Sequence, residues 1–97
     1  MGKSEEFSKV IKVVTELTEV TEEAILGRSR EPEVVDARWL VICLMYEKGY
    51  IAKQISPLIN HPIRTINHAI SLFSKRVSLS CNGLGNTLAI ARQQLHL

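Results

Sequence analysis

Apolar residues recur along this chain in steps of three and four, the spacing of one face of an α-helix. Phe7, Val10, Ile11, Val14 and Leu17 set the first such series. It predicts a helix running to about Leu17 or Thr18, with Ser4 as its N-cap and Glu5 and Glu6 on the favourable end of the dipole. Thr21 then caps a short helix, "EEAILG", closed by Gly27. The stretch "GRSREP" reads as a loop, because Gly, Ser and Pro punctuate it and its charges have no period. Pro32 suits the first turn of a third helix. Val34, Val35, Ala37, Leu40, Val41, Leu44 and Met45 make that helix apolar nearly all round, as expected of a central buried element, and Gly49 stops it. A fourth helix, about Ile51 to Ile59, places Ile51, Ile55, Leu58 and Ile59 on one face. Pro57 inside it removes an amide and crowds the turn before, which predicts a kink or an early end. A fifth helix, about Pro62 to Val77, buries Ile63, Ile66, Ala69, Ile70, Phe73 and Val77. After a loop, "SLSCNGLGN", a last helix from Leu84 to Leu95 turns Leu88, Ala91 and Leu95 inward. No strand pattern occurs. The expectation is an all-α fold of five to six helices, a single domain over residues 1–97 with residues 1–5 disordered.

The other face of the fifth helix carries the candidate chemistry. Arg64, Asn67, His68, Ser71 and Lys75 line it at spacings of three and four, with Thr65 beside Arg64 near its start. Arg can fork to guanine, Asn to adenine, and Thr can meet a phosphate or a thymine methyl. A recognition helix inserts its N-terminal turns into the major groove, where these residues lie. Pro62 at the first helical position would set the approach angle, with His61 or Asn60 as the cap. The short helix and tight turn before it complete a helix-turn-helix, with Lys53 placed to meet a phosphate.

Charge sharpens this picture. The net charge is +2, yet all ten acidic residues lie at or before Glu47. Residues 1–47 therefore sum to −4, whereas residues 48–97 hold Lys48, Lys53, Arg64, Lys75, Arg76 and Arg92 and sum to +6. An acid-free basic segment attracts a polyanion, and double-stranded DNA is the partner it suits. A mildly basic, merely solvated surface is the plain alternative.

The order of elements from Phe7 to Leu95 resembles the C-terminal DNA-binding domain of the bacterial chromosomal replication initiator DnaA. The resemblance rests on "VTEEAILGRSREPEVVDARWLVICLMYEKG", "QISPLI" and "RTINHAISLF". It is similar in its helix-turn-helix topology to the Trp repressor as well. The resemblance implies replication initiation or its regulation as the setting, with two sets of DNA contacts. The family's basic loop sends an arginine into the minor groove, a role that falls to Arg30 with Arg28 nearby. Its recognition helix opens with Arg-Asp-His-Thr-Thr, and this chain reads "HPIRT" there. Thr65 is retained, while His61, Pro62, Ile63 and Arg64 depart from the pattern. Ile55-Ser56 stands for the family's Ile-Gly. These departures keep the architecture and change most of the base-reading set. The rival expectation is a protein-interaction module that kept the fold and lost specific DNA reading, docking a protein through its acidic first half.

Other chemistry is not expected. No Gly-rich phosphate loop of the Walker type occurs, so neither nucleotide binding nor the initiator's ATPase is implied. His61 and His68 have no Cys, Asp or Glu at ligand spacing, so no metal site is expected. No cofactor and no catalytic set emerges, and the chain is not read as an enzyme. The longest apolar run, "WLVICLMY", is too short to span a bilayer, so no membrane partner is expected and the localisation is read as cytoplasmic. Cys43 lies in that run as a small buried hydrophobe and Cys81 lies in a loop. No disulfide between them is expected.

Overall fold

The computed structural model describes residues 3–79 and 83–97, residues 3 and 4 by backbone alone. Six helices and no strand occur among them: α1 (Lys3–Thr18), α2 (Glu22–Leu26), α3 (Pro32–Glu47), α4 (Ala52–Ile59), α5 (Ile63–Leu79) and α6 (Leu84–Gln94). The all-α expectation holds. Helix α1 begins ahead of Ser4, so Ser4 is not its cap, and residues 3–5 are helical rather than disordered. Residues 1 and 2, and the expected loop position of Cys81, lie outside the described residues.

Local chemistry sets most of the boundaries. The Thr21 hydroxyl accepts from the Ala24 amide at 3.1 Å and opens α2. Pro32 sits in the first turn of α3. Gly49, at φ 105°, takes a left-handed conformation that a side chain would strain, and it ends the run after α3. Helix α4 does not end early. It continues through Pro57 to Ile59 and stops at Asn60, which adopts φ 61°. Pro57 and Lys53, one turn back, are both exposed, so the carbonyl that proline leaves unpaired lies on the solvent side. Helix α5 runs two residues past Val77, and α6 begins at Leu84 as expected and ends at Gln94.

Helix α3 is central. It packs against the other five helices, and Leu40, Val41, Ile42, Leu44 and Met45 lose all contact with water. Around it Phe7, Val10, Ile11 and Val14 of α1, Ile25 of α2, Ile55 and Ile59 of α4, Ile66, Ala69 and Phe73 of α5, and Leu84, Leu88 and Ala91 of α6 form one continuous core. Each fully buried Leu or Ile contributes about 1.5–3 kcal/mol relative to exposure. Cys43 belongs to this core, and burial pushes its thiol up to about 12. Two isoleucines expected inside are outside. Ile51 is 56% exposed and Ile63 is 44% exposed. Both stand at the start of a helix, where fewer neighbouring turns exist to cover them.

Candidate nucleic-acid interface

Helices α4 and α5 are joined by Asn60, His61 and Pro62. This tight turn is held from within. The Asn60 amide donates to the Ser56 carbonyl, and the Ser56 hydroxyl donates to the His61 carbonyl. Pro62 offers its carbonyl to the amides of Thr65 and Ile66, at 2.9 and 3.2 Å, and so precedes α5 rather than occupying its first position. Neither His61 nor Asn60 caps α5. Asn60 instead closes α4.

His61, the first residue of the stretch matched to the family's base-reading run and so an expected DNA contact, does not join the exposed face of α5. Its side chain is buried, 8% exposed, and turned back toward the loop after α2. Its Nε2 lies 2.9 Å from the Gly27 carbonyl and its Nδ1 lies 3.3 Å from an Arg28 guanidinium nitrogen. A carbonyl only accepts and a guanidinium only donates, so the ring is neutral with its proton on Nε2. Burial lowers its pKa most. The bond to Gly27 opposes that, and the charges of Arg38 and Arg28 add to the lowering. His61 is thus a joint between the basic loop and the turn, and it positions Arg28. Arg28, Ser56, Pro57, Asn60, His61 and Pro62 line an open groove of about 520 Å³ along this joint.

The basic loop has a second anchor that the sequence reading missed. Arg38, 5% exposed in the middle of α3, donates to four backbone carbonyls: Ile25 at 2.7 Å, Ser29 and Gly27 at 3.0 Å, and Ala24 at 3.1 Å. A helix end leaves its last carbonyls short of amides, and this guanidinium supplies a donor to that of Ile25 and a second one to that of Ala24, at the end of α2. Burial, then the Arg28 charge, lowers the pKa of Arg38. The sequence did carry a signal, because a lone Arg within an all-round apolar helix can be buried only if its donors are met. Among the described residues no buried side-chain polar atom lacks a partner.

Of the expected contact residues, Arg28, Arg30, Lys53, Arg64, Asn67, His68, Ser71 and Lys75 are exposed, and Thr65 is partly covered. The ring of His68 meets Trp39 of α3 edge-on, with centroids 5.6 Å apart and planes at 88°. The Arg76 guanidinium lies 5.2 Å from the centre of the same indole, and it donates to Asp36 and to the Pro32 carbonyl. Trp39 therefore braces the outer flank of α5 against α3. His61 turns to Gly27 and His68 to Trp39, so the two histidines do not converge.

Long-range pairing sorts the cations. Lys48 pairs with Glu6, Arg76 with Asp36 and Arg92 with Glu47. Each of these bridges joins the basic second half to the acidic first half. Lys53, Arg64 and Lys75 have no ion pair among the described residues and stand exposed on α4 and α5. Among the described residues Arg28 is tied only to the uncharged His61, and Arg30 is exposed. The unneutralised charge of the second half thus falls on the helix-turn-helix. No helix among the described residues is long and apolar enough to cross a membrane. Comparison with protein-family models, with curated proteins and with solved structures finds no match to this chain.

Proposed function

We propose that this chain binds double-stranded DNA. The first turns of α5 enter the major groove and present Arg64, Thr65 and Asn67 to base edges, with His68, Ser71 and Lys75 further along. Lys53 meets a phosphate, while Arg28 and Arg30 approach the neighbouring minor groove or backbone. The observation that carries this reading is the sorting of charge: three cations of the basic half are spent on internal pairs, and the three left over all lie on α4 and α5. A merely solvated basic half has no reason to be sorted in that way. The resemblance to the replication initiator's DNA-binding domain supports a role in replication initiation or its regulation.

A titration with labelled random duplex DNA tests the proposal. With Arg28, Arg30, Lys53 and Lys75 on phosphates and Arg64 on a base edge, the log–log salt slope is about −3.6, and affinity falls roughly 150-fold between about 50 and 200 mM salt. Amide shifts on binding should cluster at residues 28–30, 53 and 63–75. A flat salt response, or shifts elsewhere, would sink it.

One feature favours the protein-interaction reading. Between the end of α1 and the starts of α3 and α6 lies a cleft of about 380 Å³, lined by Leu17, Val20 and Leu84 with Glu33 and Asp36 beside them. Thr18 and Thr87 complete a mixed lining, and with Asp36 paired to Arg76 it is Glu33 that makes the cleft suit a basic protein segment. Silence at α5 on adding duplex would leave that reading standing.

A further inference from the structure

The residue that opens α5 has an unexpected orientation. Ile63 follows the apolar spacing of its helix, yet 44% of it faces solvent. At about 100° per residue it stands roughly 60° from the direction of Ile66, at the edge of the buried stripe. Ile66, one turn on, is completely enclosed. The exposed flank of Ile63 continues into Asn67, four residues later, and Arg64 is its immediate neighbour.

A single exposed isoleucine is ordinarily unremarked on a protein surface. Here its surroundings narrow what could cover it. Arg64, Lys53 and Lys75 on the same two helices are exposed and without ion pairs among the described residues, so this face suits an anionic occupant. An occupant that also brings an apolar group to the first turn of α5 would cover Ile63. A DNA duplex supplies both, because its major groove offers one protruding apolar group, the thymine 5-methyl, between two rows of phosphates.

We propose that Ile63 is a specificity-determining residue that packs against a thymine 5-methyl, within a base pair or two of the base edge met by Arg64. The inference rests on the DNA-binding reading above and deepens it. The branched side chain covers the methyl, while Asn67 and Arg64, both on the flank of Ile63 away from Ile66, make the directional contacts. A base pair without that methyl leaves Ile63 against water or against a polar edge.

The experiment begins with a duplex selected from a random library by the full chain. Each thymine is then replaced in turn by deoxyuridine, which removes the methyl and leaves the hydrogen-bonding edge unchanged. The same series is measured with Ile63→Ala, whose folding is checked by circular dichroism. At one position the native chain should lose affinity roughly fourfold, the worth of one buried methyl group. Ile63→Ala should bind the thymine and uracil duplexes at that position alike. If DNA is bound with the expected salt slope but no uracil weakens it, the role of Ile63 is overturned and DNA binding survives. If Ile63→Ala keeps the uracil penalty, another residue reads the methyl and the inference fails. If no duplex is bound at all, the DNA reading itself is lost.

Discussion

Replacing Arg38 by methionine isolates the guanidinium, because methionine keeps the apolar stem that packs within α3. In the native chain the guanidinium meets the carbonyls of Ala24, Ile25, Gly27 and Ser29. Two of these retain other donors, since Ala24 still accepts from the Gly27 amide and Gly27 still faces His61 Nε2. The carbonyls of Ile25 and Ser29 lose the bond described for them. At ~1–3 kcal/mol for each buried acceptor left without a partner, and with Ser29 the nearer to water, Arg38→Met should cost about 2–4 kcal/mol. Against a total stability of about 5–15 kcal/mol for a small domain, that is a large fraction. Arg38→Lys should recover only part of it, because one ammonium cannot span carbonyls from Ala24 to Ser29. Urea unfolding gives the stability change, and hydrogen exchange at residues 24–30 shows whether the loop opens with it. An unfolding free energy within ~0.5 kcal/mol of the native value would refute the reasoning. So would a large loss with no faster exchange in the loop, since the guanidinium would then be acting somewhere other than on these carbonyls.

Titration of His61 should make stability depend on pH. Burial holds the folded ring neutral below its ordinary value of 6.5, so the unfolded chain takes up a proton first as the pH falls. Its contribution is fully present above pH 6.5 and is lost as the pH drops through that value toward the folded pKa. Urea midpoints at pH 7.5 and 5.5 should therefore differ more for the native chain than for His61→Gln, and equal differences would contradict a ring held neutral by burial. Gly49→Ala adds a methyl that meets nothing within 4 Å, yet it forces φ 105° on a residue with a side chain. A loss of ~1–2 kcal/mol in thermal melts, from the backbone alone, is expected. Cys43, with its thiol raised to about 12 and its side chain in the core, should resist a thiol reagent at neutral pH in a Cys81→Ser background and react once urea is added. Reaction in the folded state would mean that α3 opens locally.

Much of this molecule is legible from local pattern. Apolar period, Thr21, Pro32 and the glycines act within a turn or two of themselves, so the six helices, the central burial of α3 and the polar outer face of α5 follow from the sequence. The concentration of acid in one half and base in the other is equally plain before any folding. What tertiary structure decided is which groups meet. Partners such as Asp36 and Arg76, or Glu47 and Arg92, lie 40 and 45 residues apart, and no local spacing announces them. Without those pairs the basic half is an undifferentiated +6, and with them its free charge is confined to the helix-turn-helix. His61 turned inward because the Gly27 carbonyl and Arg28, more than thirty residues earlier, offered its two nitrogens partners in a buried joint. Ile51 and Ile63 stayed outside because a helical period gives each residue's direction, whereas burial depends on a neighbouring element being there to cover it.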